Sequence, residues 1–554
     1  MLTPILRFTS GRKAVTENGR VKSPRRYSRW IYGGSVYPAL IALPYFVLTD
    51  RYSGITRAGF VLACSALCLV LSFVVLSGRM ERLRERLAAR GSVIISLAVV
   101  GYVLVFFYLA YGVRLSNGLD SVTDTALIEQ ILWAGSQGHL FYSSYYNGVS
   151  LSSHFAPMLV PLTYLYAPFQ NIGVVFLLKI SLLALTAVPL YGLACDSSDR
   201  LSALFISFAF LLSPAVVSQH FQLYMNDFAP FFWMCAGLFF FRKRMWLFLV
   251  FSVLAASVQE DIAFSLLVFA VLAWLERRPA RWKLVTVLFP AAWFMVGMLV
   301  IQLSPGQIGQ VFGGHFTDLG QTPWEIARSL ALNPNVVLAK ILDNAPSKAL
   351  WAYELLGPLL FLLPLASPVA LGALPDGLVF GFIPLDSSQY SVSWYYSLLI
   401  TTVLFMALVV SLRKLAGALS VRRFGVRISR IVGVTVLCSN LVLWPLVLSP
   451  AMFATDAGQR ISTVRRIQAL IPPDACVATT YDIAQLFARR YQLYTLGIDP
   501  DEKVLGCRYV VVTEAVAGVE KGSANYRRLF NVLEEVESYR LLLTENGFQV
   551  FVKR

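Results

Sequence analysis

Long apolar segments alternate with short polar ones along most of this chain. Four of the apolar segments approach the roughly 20 residues that a helix needs to cross a bilayer: 31–49, 58–77, 92–112 and 284–303. Hydrophobic residues make up 57% of the 554 positions and charged residues only 14%. The pattern predicts a polytopic α-helical membrane protein with about 13 membrane segments.

Lysine and arginine are concentrated in a few of the polar segments, namely the first 30 residues, 79–90, 242–244, 277–283 and 413–430. Loops rich in these residues stay on the cytoplasmic side of a membrane. Threading the chain through them places the loops 113–155 and 304–348, and everything after about residue 450, on the outer side. Most of the polar chemistry is therefore expected on one outer face.

The segment 200–226 is expected to enter and leave the membrane on the same side. The loop 113–155 and Asp227 both lie outside in this topology, yet only two ordinary spans, 157–169 and 172–194, separate the loop from this segment. Pro214 lies in the middle of the segment, and proline breaks a helix because it lacks an N–H and its ring clashes with the preceding turn. The sequence predicts two short half-helices packed against neighbouring protein.

The net charge of +16 does not indicate a nucleic-acid-binding protein. The excess is spread over short loops beside the spans, where it orients the protein and meets anionic lipid headgroups. Residues 1–30 read as a basic cytoplasmic segment without the apolar stretch of a removable signal peptide, and 31–90 read as two spans. Nucleic acid is therefore not an expected partner.

The tail, residues 450–554, no longer has the composition of membrane spans. Helix-like pieces such as GQRISTVRRIQALI alternate in it with β-rich runs such as CVATT and YVVVTE, and the chain ends in a hairpin pattern around Asn546-Gly547. This predicts a small extracytoplasmic α/β domain. The tail has no histidine, phosphate loop or nucleophile motif, so we expect docking or substrate presentation from it.

Only two of the seven cysteines, Cys476 and Cys507, fall in the tail, where each opens a predicted strand. Neighbouring strands in an oxidising compartment would allow a disulfide between them. Two separate buried thiols are the alternative.

Ionisable residues recur at the predicted outer ends of the spans. A charge at the bilayer centre costs about 2.5–3.5 kcal/mol, so such residues are candidates for function. Asp124 begins a predicted surface helix, where the helix dipole alone already favours an acid. The adjacent acids Glu260 and Asp261 need a cation or a proton to offset their repulsion. His154 is a candidate for ligand binding or proton transfer, although a hydrogen-bonded histidine at a span end is the plainer interpretation.

The outer loops also supply groups suited to binding a substrate. Arg328 and Lys340 are cations in an amphipathic stretch of the loop 304–348, and Tyr395 and Tyr396 lie in SSQYSVSWYYS. The interfacial aromatic belt of membrane proteins accounts for most of the tyrosines. The alternative is that they stack on a sugar ring or line a lipid groove.

Several segments carry a resemblance to known proteins: TDTALIEQILWAGSQGHLFYSSYYNGVSLSSHFAP, MNDFAPFFWMCAGLFFF, SVQEDIAF and the loop around Tyr395. With them the chain resembles the GT-C superfamily of membrane glycosyltransferases, and more closely a related bacterial family of predicted membrane proteins of unknown function. The resemblance covers the transmembrane part 91–449 and the tail. Residues 1–90, with the two extra spans, fall outside it.

The resemblance implies roles for particular residues. Asp124 matches the acid that GT-C enzymes place in the first outer loop as general base or metal ligand, and Asp227 matches a second catalytic acid. Glu260 and Asp261, together with Asp124, would hold a divalent metal, Mg²⁺ or Mn²⁺. The expected substrate-binding residues are His154, Tyr395, Tyr396, Arg328 and Lys340.

The implied activity is transfer of a sugar from a polyprenyl-phosphate donor to an envelope glycan, lipid or protein, at the outer face of the bacterial cytoplasmic membrane. Such a lipid-linked donor requires no nucleotide cofactor. A transporter or flippase of lipids or lipid-linked glycans is the main alternative, although the chain shows no internal repeat. A non-catalytic envelope assembly protein is the third.

Overall fold

The computed structural model describes residues 36–43, 55–115, 123–146, 148–305, 319–320, 323–378, 390–418, 422–447, 457–497, 499–513 and 539–554. Residues 36–43 are helical. The next helices are α1 (Ile55–Leu76), α2 (Glu81–Ala89), α3 (Gly91–Phe107), α4 (Thr123–Ser136), α5 (Leu159–Tyr166), α6 (Ile172–Leu185), α7 (Ala187–Ser197), α8 (Arg200–Leu211), α9 (Pro214–Gln219), α10 (Ala229–Phe241), α11 (Met245–Ala256), α12 (Ile262–Leu266) and α13 (Val268–Leu275). They are followed by α14 (Ala280–Leu303), α15 (Pro323–Leu332), α16 (Pro334–Leu342), α17 (Ala345–Leu356), α18 (Leu362–Leu365), α19 (Leu374–Asp376), α20 (Tyr396–Ala418), α21 (Arg422–Val442), α22 (Ala457–Leu470) and α23 (Asp501–Gly506).

Six helical segments in the described ranges are long and apolar enough to cross a membrane: Gly59–Leu76, Gly91–Arg114, Ile172–Ser197, Ala280–Leu303, Tyr396–Leu415 and Gly425–Val442. Four shorter apolar helices accompany them: Arg200–Leu211, Met225–Phe241, Met245–Ala256 and Ile262–Leu275. The predicted class of polytopic helical membrane protein therefore agrees with the structure. The count of about 13 segments is not confirmed, in part because the expected span 157–169 contains only the eight-residue helix α5.

The spans differ in how far other parts of the protein surround them. Tyr396–Leu415 is mostly buried within the bundle, whereas Gly91–Arg114 leaves most of its surface uncovered. The uncovered surface is apolar, with Leu97 67% and Leu104 65% exposed. A helix that is apolar on all sides and uncovered by protein suits a lipid environment.

The segment 200–226 forms two short helices that are interrupted where the sequence predicts. Helix α8 ends at Leu211, and Pro214 is the first residue of α9. The hydroxyl of Tyr102 donates to the carbonyl of Leu211 at 2.6 Å, and the indole N–H of Trp444 donates to the carbonyl of Leu212 at 2.8 Å. Neighbouring spans thus satisfy the backbone groups that the interruption frees.

The tail contains a five-stranded sheet in the order β2-β1-β3-β5-β4, built from β1 (Val477–Thr479), β2 (Leu493–Thr495), β3 (Tyr509–Thr513), β4 (Tyr539–Glu545) and β5 (Phe548–Lys553). Strand β1 is parallel to β2 and β3, while β5 is antiparallel to β3 and β4. Asn546 and Gly547 have φ of 49° and 78°, as a tight hairpin turn requires. Cys476 and Cys507 form a disulfide, so the alternative of two separate thiols is wrong in this structure.

Helix α4 lies between the membrane bundle and the tail. It contacts α5 on one side and the helical turn Tyr481–Phe487 of the tail on another. Glu129, buried on α4, accepts hydrogen bonds from Tyr166 of the bundle at 3.0 Å and from Gln485 of the tail at 2.9 Å. The predicted surface helix is therefore correct as a helix, but its residues Glu129 and Gln130 face the tail domain rather than water.

Candidate active site

A cavity of about 90 Å³ lies beside the start of α4. Apolar residues of α4 and α5 form much of its wall, and its polar lining consists of Asp124, Tyr146, Ser150, His154, Tyr224, Asn226, Gln259 and Tyr395. Segments far apart in the chain thus bring Asp124, His154 and Tyr395, three of the predicted site residues, to one space.

Asp124 occupies the first turn of α4 and is half-buried. Burial raises the pKa of its carboxyl group to about 6, because the charged form loses water, and His154 offsets part of this effect. A carboxylate with this pKa is mostly ionised at neutral pH but is a stronger base than an exposed aspartate. These are the properties expected of a general base.

His154 is held in place by Glu260. Its Nδ1 atom lies 3.0 Å from Oε1 of Glu260, whose other oxygen accepts the backbone N–H of Phe155 at 2.8 Å. The amide nitrogen of Gln259 lies 3.0 Å from the same Nδ1, so two side chains hold the ring at this atom, and Nε2 is the nitrogen left for a ligand. Burial lowers the pKa of His154, but the nearby carboxylates, chiefly Glu260, outweigh it and raise the pKa above its usual value.

Asp227 is fully buried and does not line the cavity, although its neighbours Tyr224 and Asn226 do. Its Oδ2 accepts the N–H of Tyr224 at 3.0 Å and lies 3.7 Å from Nζ of Lys179. The carboxylate thus points toward the protein interior, where its hydrogen bond to Tyr224 stabilises the loop that forms the cavity wall. Its catalytic role stays a prediction.

Lys179 is the principal residue that the sequence analysis missed. It is fully buried in α6, and its ammonium group donates to the backbone carbonyls of Gln219, at 2.6 Å, and of Gln222. The signal was present in the sequence, since a single lysine interrupts the apolar run IGVVFLLKISLLAL. A charge within a span usually has a function or a specific partner.

The carboxylates expected to bind a metal lie around His154 rather than around a shared ion site. Glu260 is hydrogen-bonded to His154, and Asp261 interacts electrostatically with Glu260, with His154 and with Asp376 of α19. Within the described ranges no three histidine, cysteine or acidic side chains are grouped closely enough to hold a metal ion. Binding of Mg²⁺ or Mn²⁺ by Glu260, Asp261 and Asp124 stays a prediction.

The other predicted substrate-binding residues divide into two groups. The ring of Tyr395 lies in the cavity wall, with its centroid 4.1 Å from that of Tyr224 and 3.9 Å from that of Tyr396. Arg328 is exposed on α15 and Lys340 is buried on α16, and neither contributes to the cavity lining. Their part in substrate binding stays a prediction.

The chain belongs to the family described as Predicted membrane protein (DUF2079), which matches residues 113–548. This confirms the predicted membership of a family of predicted membrane proteins. No curated protein matches the chain in sequence.

Among solved structures, membrane glycosyltransferases show a loose similarity to this fold. ArnT from Cupriavidus metallidurans, bound to undecaprenyl phosphate, has a TM-score of 0.46 and 12% identity over 82% of this chain and 97% of its own. The arabinofuranosyltransferase AftD from Mycobacteria has a TM-score of 0.44 and 14% identity, over 83% of this chain and 40% of its own. The Archaeoglobus fulgidus oligosaccharyltransferase has a TM-score of 0.41 and 11% identity, over 82% and 73%.

Proposed function

We propose that this protein is a GT-C-type glycosyltransferase that moves a sugar from a polyprenyl-phosphate donor to a cell-envelope acceptor. The observation that carries the proposal is that Asp124, with a raised pKa, and His154, with an oriented ring, line the same cavity. A base and a cationic hydrogen-bond donor in one cavity are what displacement of a phosphate leaving group needs. The donor class follows from the sequence resemblance.

In the proposed reaction Asp124 accepts the proton of an acceptor hydroxyl. The hydroxyl oxygen then forms a bond to the anomeric carbon of the sugar, and the bond from that carbon to the phosphate oxygen breaks. His154, whose pKa is raised by Glu260, donates in its protonated form from Nε2 to the departing phosphate. This histidine supplies the positive charge, and no metal ion is required for these steps.

The cavity must widen to admit a sugar, since its volume of about 90 Å³ is below the roughly 300–1,000 Å³ typical of ligand pockets. Its aromatic wall, Tyr146 and Tyr395, is the side at which a bound sugar would stack. The ring of Tyr395 packs against that of Tyr224, so outward movement of either ring enlarges the cavity. We infer that these tyrosines contact the sugar.

We place the site and the tail outside the cytoplasm. The distribution of lysine and arginine in the loops supports this orientation. The disulfide between Cys476 and Cys507 supports it independently, because structural disulfides are rare in the bacterial cytoplasm.

The test is complementation of a deletion strain, with mass spectrometry of envelope glycans and lipid-linked sugars. Asp124→Asn should abolish the product while the folded protein accumulates normally. Asp501→Asn is the matched control, since Asp501 is an exposed acid in the first turn of a tail helix. Normal product from the Asp124→Asn strain would overturn the proposed role.

A second assay separates transfer from transport. Purified protein in detergent, given lipid-linked sugars extracted from the deletion strain and the strain's own envelope acceptors, should form product without a sealed bilayer. A flippase needs two aqueous compartments and would show no reaction in detergent.

A further inference from the structure

A second and much larger cavity, of about 680 Å³, lies between the tail domain and the membrane bundle. Its floor includes Tyr111 and Leu115, at the end of the span Gly91–Arg114, and Asn171 and Ile172, at the start of the next span. Because two spans end at this floor, the cavity lies at the level of a membrane surface. We call it the arginine cleft, after the residues on its tail side.

The charge of the arginine cleft is predominantly positive. Arg465, Arg489 and Arg490 line it, and Glu129 is the single acid in its described lining. Glu129 is already paired with Arg489, at 3.0 Å. One negative charge therefore faces three positive ones.

Two of these arginines form no salt bridge in the described part of the chain, although the carboxylate of Asp474 interacts electrostatically with Arg490. Arg490 is buried and donates to the backbone carbonyls of Phe487, at 2.9 Å, and Ala475, at 3.0 Å. Arg465 is exposed on α22 and forms neither a hydrogen bond nor an ion pair with a described residue. A cleft with this excess of guanidinium groups favours an anion.

The arginine cleft and the cavity of Asp124 are separate sites. Asp124 and Glu129 lie five positions apart on α4, and each lines only one of the two cavities. The two linings share no residue. A ligand of the cleft therefore does not have to take part in the chemistry at Asp124.

We propose that the arginine cleft binds a phosphate-bearing group at the membrane surface. Planar guanidinium groups match the oxygens of phosphate, and the amide side chains of Gln468, Gln485 and Asn171 in the same lining offer further hydrogen bonds. The phosphate belongs either to the headgroup of an anionic lipid or to a soluble phosphate ester that enters from water. This inference does not rest on the proposed sugar transfer, because binding is measured without turnover.

The experiment measures binding to the full-length protein and two arginine variants. The lipid probe is phosphatidylglycerol in phosphatidylcholine nanodiscs, with retained lipid counted by native mass spectrometry. The soluble probe is glycerol 3-phosphate, added as a competitor and also tested alone by thermal shift. Competition by glycerol 3-phosphate would identify a soluble ester as a ligand, and retention of phosphatidylglycerol despite it would identify a lipid headgroup.

Arg465→Gln should weaken binding of the effective probe about tenfold, the expected effect of losing one charge-assisted contact. Arg466→Gln is the matched control. Arg466 is the next residue of α22, but its guanidinium pairs with Glu545 at 2.7 Å and does not line the cleft. It should change binding less than twofold, and added salt should weaken binding in both proteins.

Two results would overturn the proposal. The first is equal binding by the Arg465→Gln and Arg466→Gln proteins. The second is no saturable binding of either probe above a nanodisc of phosphatidylcholine alone. Because Arg465 is exposed, its replacement should leave the melting temperature unchanged, and that measurement shows that a loss of binding is not a loss of folding.

Discussion

The imidazole Nδ1 of His154 and the carboxylate oxygen Oε1 of Glu260 are 3.0 Å apart, although 106 positions separate the two residues in the chain. The carboxylate is only 6% exposed, whereas the ring is 37% exposed. The acid is thus fixed inside the protein, whereas the histidine lines the cavity. The pair is the most specific polar contact of the candidate site.

Replacing Glu260 with glutamine should change the pH dependence of transfer. Glu260 is the main group that raises the pKa of His154, so the variant's histidine should lose its proton at lower pH. The alkaline decline of the rate should then begin at lower pH. A pH series of transfer rates measures this, and Glu545→Gln, which removes an acid from a surface ion pair of the tail, is the control. An unchanged alkaline limb would show that His154 does not act as a cation.

The acid limb of the same profile should report Asp124. Its pKa is about 6, so the rate should rise as the pH increases through that value and the carboxylate forms. Together with His154 this predicts a bell-shaped profile. A rate that is flat between pH 5 and 7 would exclude Asp124 as the base.

Asp124→Asn should also stabilise the protein above neutral pH. The folded state raises the pKa of this acid, so the folded protein holds the proton more tightly than the unfolded chain. Stability from this group is present at pH below the unfolded value and is lost as the pH rises through about 6. The variant lacks this titrating carboxyl group, so its free energy of unfolding above pH 6 should be higher by roughly 1–3 kcal/mol. Its melting temperature should therefore exceed that of the wild type at pH 8 and match it at pH 4, whereas a helix-capping role predicts a slightly lower value at pH 8.

Lys179→Met should destabilise the protein by about 3–5 kcal/mol, because it leaves the buried carboxylate of Asp227 without its cation. Adding Asp227→Asn should restore part of that loss. Asp227→Asn alone should cost less, since Lys179 keeps its backbone carbonyl acceptors. Thermal unfolding of the wild type, the two single variants and the double variant gives a double-mutant cycle for this pair. Strictly additive effects would contradict the pairing.

Cys507→Ser should lower the stability of the tail domain by about 2–4 kcal/mol, because it removes the constraint of the disulfide on the unfolded chain. Cys195→Ser, at a half-buried free cysteine, should have little effect. The rate of limited proteolysis of the tail compares its stability in the two variants. In intact cells, the free Cys476 of the Cys507→Ser protein should react with an impermeant maleimide after mild denaturation of the outer surface. Labelling only after cell lysis would place the tail in the cytoplasm.

Local signals accounted for much of the fold. Pro214 specifies the interruption of 200–226, and Asn546-Gly547 specifies the final hairpin, because proline and positive-φ residues act on their own backbone. The short strand β2 was not predicted, since three residues carry too little periodicity.

Less of the candidate site could be predicted from the sequence. The positions of Asp124, His154 and Glu260 were indicated by charge at the ends of spans, but which carboxylate faces which partner depends on packing between distant segments. Asp227 and Asp261 carry the same local signal as Asp124, yet neither lines the cavity. Lys179 was overlooked because its neighbours are apolar, and only the structure shows the carbonyls and carboxylate that surround it.

The contacts that Tyr102 and Trp444 make at the interrupted helix bear on the permeability of the membrane. An uncapped break would draw water to the carbonyls of Leu211 and Leu212, and a chain of such waters conducts protons and ions. Here two side chains occupy those acceptors directly. In the topology predicted from the sequence, this segment would turn within the bilayer without drawing water to those two carbonyls.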